Sequence, residues 1–145
     1  MLISVRTLLP AVALLAVLAA CTNVKPAASP QWSEVGISDF KTIAGQWAGL
    51  MRRTPQARGD DWLQVAIRDD GMYAFQSYRT IGVFSGRGRL TLNQGKATHW
   101  TDHGQVTFIL YEADGARMLR AAGASKEGIE YAADLTPARQ THGPE

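Results

Sequence analysis

Cysteine is nearly missing from this chain: Cys21 is the only one in 145 residues. With no second thiol it forms no intramolecular disulfide, so the fold rests on burial and hydrogen bonding. Histidine is scarce as well, with three in all. The one cluster of metal-ligand types is His99-Trp100-Thr101-Asp102-His103. On a strand its two histidines share a face about 13 Å apart, too far to share an ion that needs ligands at about 2 Å. No metal site is expected, and the cluster reads as a solvated turn. An excess of one charge is lacking: 15 Lys and Arg stand against 13 Asp and Glu, and the basic residues are scattered. That excludes a polybasic surface for nucleic acid. No Gly-x-Ser-x-Gly elbow is present for a hydrolase. After residue 42 no segment keeps a helical period, and beyond the N-terminal stretch no apolar run is long enough to span a bilayer.

The N-terminus is where the apolar residues run together. Met1 to Thr7 carries one charged side chain, Arg6, and Leu8 to Ala20 is almost wholly apolar. A basic start, a short apolar core and small residues at its end describe a secretory signal, expected as a helix over 1–20. Leu18-Ala19-Ala20-Cys21 resembles the lipobox of bacterial lipoproteins. The resemblance implies cleavage between Ala20 and Cys21 and diacylation of the Cys21 sulfur, palmitate being a typical chain. Two acyl chains suffice for stable anchoring. Thr22 stands where Asp often signals inner-membrane retention, so the resemblance implies the outer membrane, with the domain facing the periplasm. Those acyl chains are the only non-protein group expected.

Residues 21–37 read as a lipid-anchored flexible tether. Lys25-Pro26-Ala27-Ala28-Ser29-Pro30 offers little to bury, and the sixteen residues from Thr22 to Ile37 reach at most about 55 Å. Trp32 is the one side chain there suited to clamp onto a domain. The folded domain is expected over 38–137, with a disordered tail at 138–145. Ser38 or Asp39 caps a short helical turn. Eight strand-like runs follow: 47–53, 62–68, 72–79, 83–92, 96–101, 105–112, 116–122 and 129–135. Leu63, Val65 and Ile67 alternate onto one face, as do Val106, Phe108 and Leu110. Asp69-Asp70-Gly71, Asn93-Gln94-Gly95, Asp102-His103-Gly104 and Ala113-Asp114-Gly115 are tight-turn sequences, and Ser125 to Gly128 is one residue longer. Short hairpins force antiparallel neighbours. The expectation is an all-β fold, an eight-stranded antiparallel up-and-down barrel, since closure removes both edges. Gly86 and Gly88, two apart on one face, permit a bend or a close approach.

Ile37-Ser38-Asp39-Phe40-Lys41-Thr42-Ile43-Ala44-Gly45-Gln46-Trp47 resembles the opening of the calycin barrels, which include lipocalins, avidin-like proteins and the small periplasmic inhibitors of bacterial metalloproteases. The resemblance implies that Gly45 and Trp47 enter the first strand and that Trp47 closes one barrel end, often under an arginine from a late strand; Arg139 is the candidate. A second lipocalin signature, a biotin-site pattern and the inhibitors' cysteine pair are lacking.

Other candidates carry plainer readings. Asp60-Asp61 and Asp69-Asp70 sit at turn positions, where Asp bonds locally. Arg87 and Arg89 share a face opposite Gly86 and Gly88. Burying two unpaired arginines is costly, so that face is expected outward; inward, it would favour an anionic ligand. Trp62, Tyr73, Phe75 and Trp100 are candidates to face a ligand or partner, with core packing as the alternative. The leading expectation is a non-enzymatic binding module for a small apolar or envelope-derived ligand, or for a partner protein. The alternatives are a small-barrel protease inhibitor and a packed structural barrel.

Overall fold

The computed structural model describes residues 29–54, 61–79, 82–101 and 104–138. Residues 1–28, which hold the expected signal, Cys21 and the first part of the expected tether, and residues 139–145 lie outside them. Within the described residues the chain is all-β, a strongly curled antiparallel sheet of ten strands. These are β1 (Ser33–Val35), β2 (Gly45–Thr54), β3 (Asp61–Ile67), β4 (Met72–Arg79), β5 (Gly82–Arg89), β6 (Thr91–Asn93), β7 (Lys96–Thr101), β8 (Gly104–Ala113), β9 (Ala116–Ser125) and β10 (Glu130–Pro137). The sheet order is β5-β4-β3-β2-β10-β9-β8-β7-β6, with β1 added beside β8. No helix among the described residues is long and apolar enough to cross a membrane.

Ten strands replace the expected eight for two physical reasons. The run 83–92 is not one strand. Its first part pairs with β4 and its last with β7. Leu90, buried between them, gives its amide to the Gly71 carbonyl (2.8 Å) and so leaves both ladders. The two end strands of the sheet order are therefore consecutive in the chain and meet at Leu90. The other addition is β1. Folding does not start at residue 38: Ser33, Glu34 and Val35 pair with Glu112, Tyr111 and Leu110. Ile37 is buried behind them, its amide bonded to the Gly95 carbonyl (2.7 Å). Trp32 just before β1 stays more than a third exposed.

Turn chemistry fixes the register. Gln94 and Gly95 both have positive φ, as do Asp114 and Gly115. That is the type I′ geometry whose twist suits two-residue hairpins, and it sets Asn93 opposite Lys96 and Ala113 opposite Ala116. Of the two expected caps, Ser38 and Asp39, it is Asp39 whose carboxylate accepts from the Lys41 amide (3.0 Å), opening the 3-10 turn Phe40–Thr42.

The core divides into a packed base and a hollow upper half. At the base, Ile37, Ile43, Trp47, Ile67, Leu90, Leu110, Leu119 and Leu135 are buried together. Each such side chain contributes about 1.5–3 kcal/mol. Trp47 is 2% exposed and its Nε1–H donates to the Ile43 carbonyl (2.8 Å). The arginine over its ring is Arg117 of β9, 5.6 Å from the centroid. Arg117 also donates to the Thr42 carbonyl and pairs with Glu112. Arg139, the arginine expected there, lies outside the described residues. Gly45 begins β2 at the exposed rim of this base.

Candidate functional site

The upper half of the curled sheet encloses a cavity of about 750 Å³. Strand alternation decides its lining. From β2 come Met51 and Arg53; from β3, Leu63 and Val65; from β4, Tyr73, Phe75, Ser77 and Arg79. The far wall is His99 of β7, Val106 and Phe108 of β8, Ala121 of β9, and Tyr131 and Ala133 of β10. Most of this surface is apolar. The floor is Phe108 and Tyr73, whose rings meet edge to face at 5.8 Å. The mouth is at the other end, where β2, β4 and β8 carry Arg53, Arg79 and Gly104.

Gly86 and Gly88 make room for the rings inside. A Cβ on Gly86 would lie 2.5 Å from the Phe75 ring, and one on Gly88 would lie 2.7 Å from His99. His99 crosses from β7 toward β5: its Nδ1–H donates to the Arg89 carbonyl (2.8 Å) and its ring meets Tyr73 edge to face at 5.4 Å. The expectation of a solvated turn for His99 is corrected, because it is a wall residue tying β7 to β5. Asp102 and His103 lie outside the described residues. Among those described, no three His, Cys, Asp or Glu converge as metal ligands.

Tyr73 and Tyr131 are among the polar side chains of the lining. Burial pushes the Tyr73 hydroxyl up to about 12, with the neighbouring Tyr131 adding to the shift. Burial also raises Tyr131, which donates to the Gln105 carbonyl (2.6 Å). Both phenols are neutral donors at any physiological pH.

The strongest electrostatic feature is one the sequence did not reveal. Asp61 is not a turn residue: it opens β3 and is only 4% exposed. Arg53 of β2 donates to its Oδ2. Arg79 of β4 brings its Nε to 3.2 Å of the same oxygen, and Ser77 Oγ lies at 3.5 Å. The Arg79 guanidinium also sits over the Phe84 ring, 4.0 Å from the centroid. The pair Asp69-Asp70 is, by contrast, an exposed turn, with Asp70 accepting from the Met72 amide (3.0 Å).

The remaining sequence candidates separate by face. Tyr73 and Phe75 line the cavity. Arg87 and Arg89 are exposed on β5, opposite the inward Gly86 and Gly88, and Arg87 also borders the cavity. Trp62 and Trp100 lie on the outer face, Trp100 at 71% exposure. Trp62 belongs to an exposed row of paired positions, Leu50, Trp62, Tyr78 and Val83, running across β2 to β5. The structure thus does not bring the six candidates to one place. Arg53, Asp61, Ser77 and Arg79 had one legible signal, the period-2 alternation that puts Arg53 with Met51 and Arg79 with Ser77. Compared with family models, curated proteins and solved structures, the chain matches none.

Proposed function

We propose that this chain is a lipid-anchored envelope lipoprotein whose calycin-like barrel binds a small apolar ligand and catalyses nothing. The observation that carries the reading is the open, mainly apolar cavity of about 750 Å³. Ligand sites measure about 300–1,000 Å³, with a few convergent polar groups among apolar walls. In this reading β5 and β6 are one bent stave, the sheet is an eight-staved barrel, and the 3-10 turn with Trp47 is its plug. The anchor rests on Leu18-Ala19-Ala20-Cys21 and puts the domain on the outer membrane, facing the periplasm. A partner protein is the second reading, and the exposed row Leu50, Trp62, Tyr78 and Val83 favours it. The inhibitor reading needs the segment before the barrel to enter a protease cleft. It is disfavoured because Ser33–Val35 is committed to the sheet.

Native mass spectrometry of the Cys21→Ser protein, secreted to the periplasm, tests this. The expected result is a non-covalent adduct of roughly drug size that is lost on denaturation. A clean apo mass, together with a partner captured by crosslinking in cells, would replace the ligand reading with the partner reading.

A further inference from the structure

Two guanidinium groups converge on one carboxylate at the cavity mouth. Arg53 and Arg79 flank Asp61 from neighbouring strands, and all three side chains are at least three-quarters buried. Both arginines and Ser77 gather on a single oxygen, Oδ2. One carboxylate neutralises one guanidinium, so the trio retains a positive charge in a half-dry place. Arg79 carries that excess. Its Nε is buried and, though 3.2 Å from Asp61 Oδ2, has no aligned acceptor among the described residues. The Phe84 ring face offsets part of the cost through cation–π attraction. An incompletely paired buried cation is expensive, and a bound anion would remove the expense. Among the described residues the other charged ones bordering the cavity are Arg87 and Glu127, both exposed, in contrast to the buried trio. Directly below lie the apolar walls of Leu63, Val65, Phe75 and Phe108.

We propose that the mouth is an anion site and that the ligand is an apolar-tailed oxyanion, its carboxylate or phosphate head on Arg79 and Arg53 and its tail in the cavity. The inference rests on reading the cavity as a ligand site and adds the ligand's chemistry. Guanidinium forks match both head groups by paired N–H donors. Tail and head are recognised by different residues, so each can be removed separately.

Isothermal titration of the Cys21→Ser protein, stripped of any bound ligand, with laurate, dodecyl phosphate, dodecanol and inorganic phosphate tests the assignment. Laurate or dodecyl phosphate is expected to bind at least about tenfold more tightly than dodecanol, as a charge-assisted bond in a dry site provides. Inorganic phosphate is expected to bind far more weakly than either. Arg79→Gln, which leaves Asp61 paired with Arg53, should erase the preference of the charged heads over dodecanol. Circular dichroism checks that the variant is folded, and the wild-type ratio stands without it. If dodecanol binds as tightly as laurate, the anion site is overturned while the cavity reading survives. If inorganic phosphate matches dodecyl phosphate, the site takes free anions and the amphiphile is overturned. If no tailed probe binds, both readings fall.

Discussion

Tyr73 joins the floor of the cavity to its wall, and its hydroxyl makes a pH prediction. Burial raises its folded pKa to about 12 from the ordinary 10.0. Between those values the unfolded chain has lost the proton and the folded chain holds it, so stability falls as pH rises through that window. Below it, both states are protonated and the group contributes no pH dependence. Urea midpoints are therefore expected to be level across neutral pH and to drop above about pH 10, and Tyr73→Phe should remove part of the drop. An unchanged alkaline drop in the variant would assign it to other phenols, Tyr131 first. Asp61 shows why residue-scale chemistry was partly hidden. Asp-Asp before the alternating run Trp62 to Arg68 reads as a turn, because Asp favours turns when nothing else is known. Its native partners Arg53 and Arg79 are 8 and 18 positions away on neighbouring strands, and only the sheet register makes them its neighbours.

At the scale of elements, strands and turns were the legible part. Alternation of Leu63, Val65 and Ile67 and of Val106, Phe108 and Leu110 marks the faces that the structure buries or turns to the cavity. The glycine-ended turns gave the antiparallel order, since two-residue hairpins allow no other. Two elements escaped. The strand β1 is three residues with no apolar alternation, and it forms because β8 offers an edge and Ile37 a buried anchor. The break at Leu90 has no turn signal at all: Arg89-Leu90-Thr91 reads as strand, and the cause is tertiary, a bond to the Gly71 carbonyl. Turn geometry is testable alone. Gly115 has φ 78° with open space where a Cβ would go. Gly115→Val should thus cost about 1–2 kcal/mol through backbone strain and not through a clash. Chemical denaturation measures this, and a neutral result would mean the hairpin adopts another turn.

For the whole molecule, the pairing of β2 with β10 is decisive. It places Trp47 beside Pro137 and so brings the first and last long strands together. Ser33 enters beside Glu112 on the side of β8 away from β9, three strand spacings from β10 and so roughly 14 Å away. A circular permutant that joins residue 138 to residue 33 through a short Gly/Ser linker, with new ends in the exposed turn at 126–128, is expected to fold. Its β-sheet circular dichroism and cooperative thermal unfolding should survive, because the break disturbs no strand and the join spans a short gap. Loss of the cooperative transition would mean that the 126–128 turn holds the mouth together.

The same pairing gives the molecule a direction. Strand β2 leaves the plugged base and climbs toward the mouth, and β10 descends from the mouth to the base. Chain entry at Ser33 and exit at Pro137 are thus both at the plugged end. Many copies held by either end on any support stand as upturned cups, every opening on the far side from its attachment and none closed off by the surface that carries it.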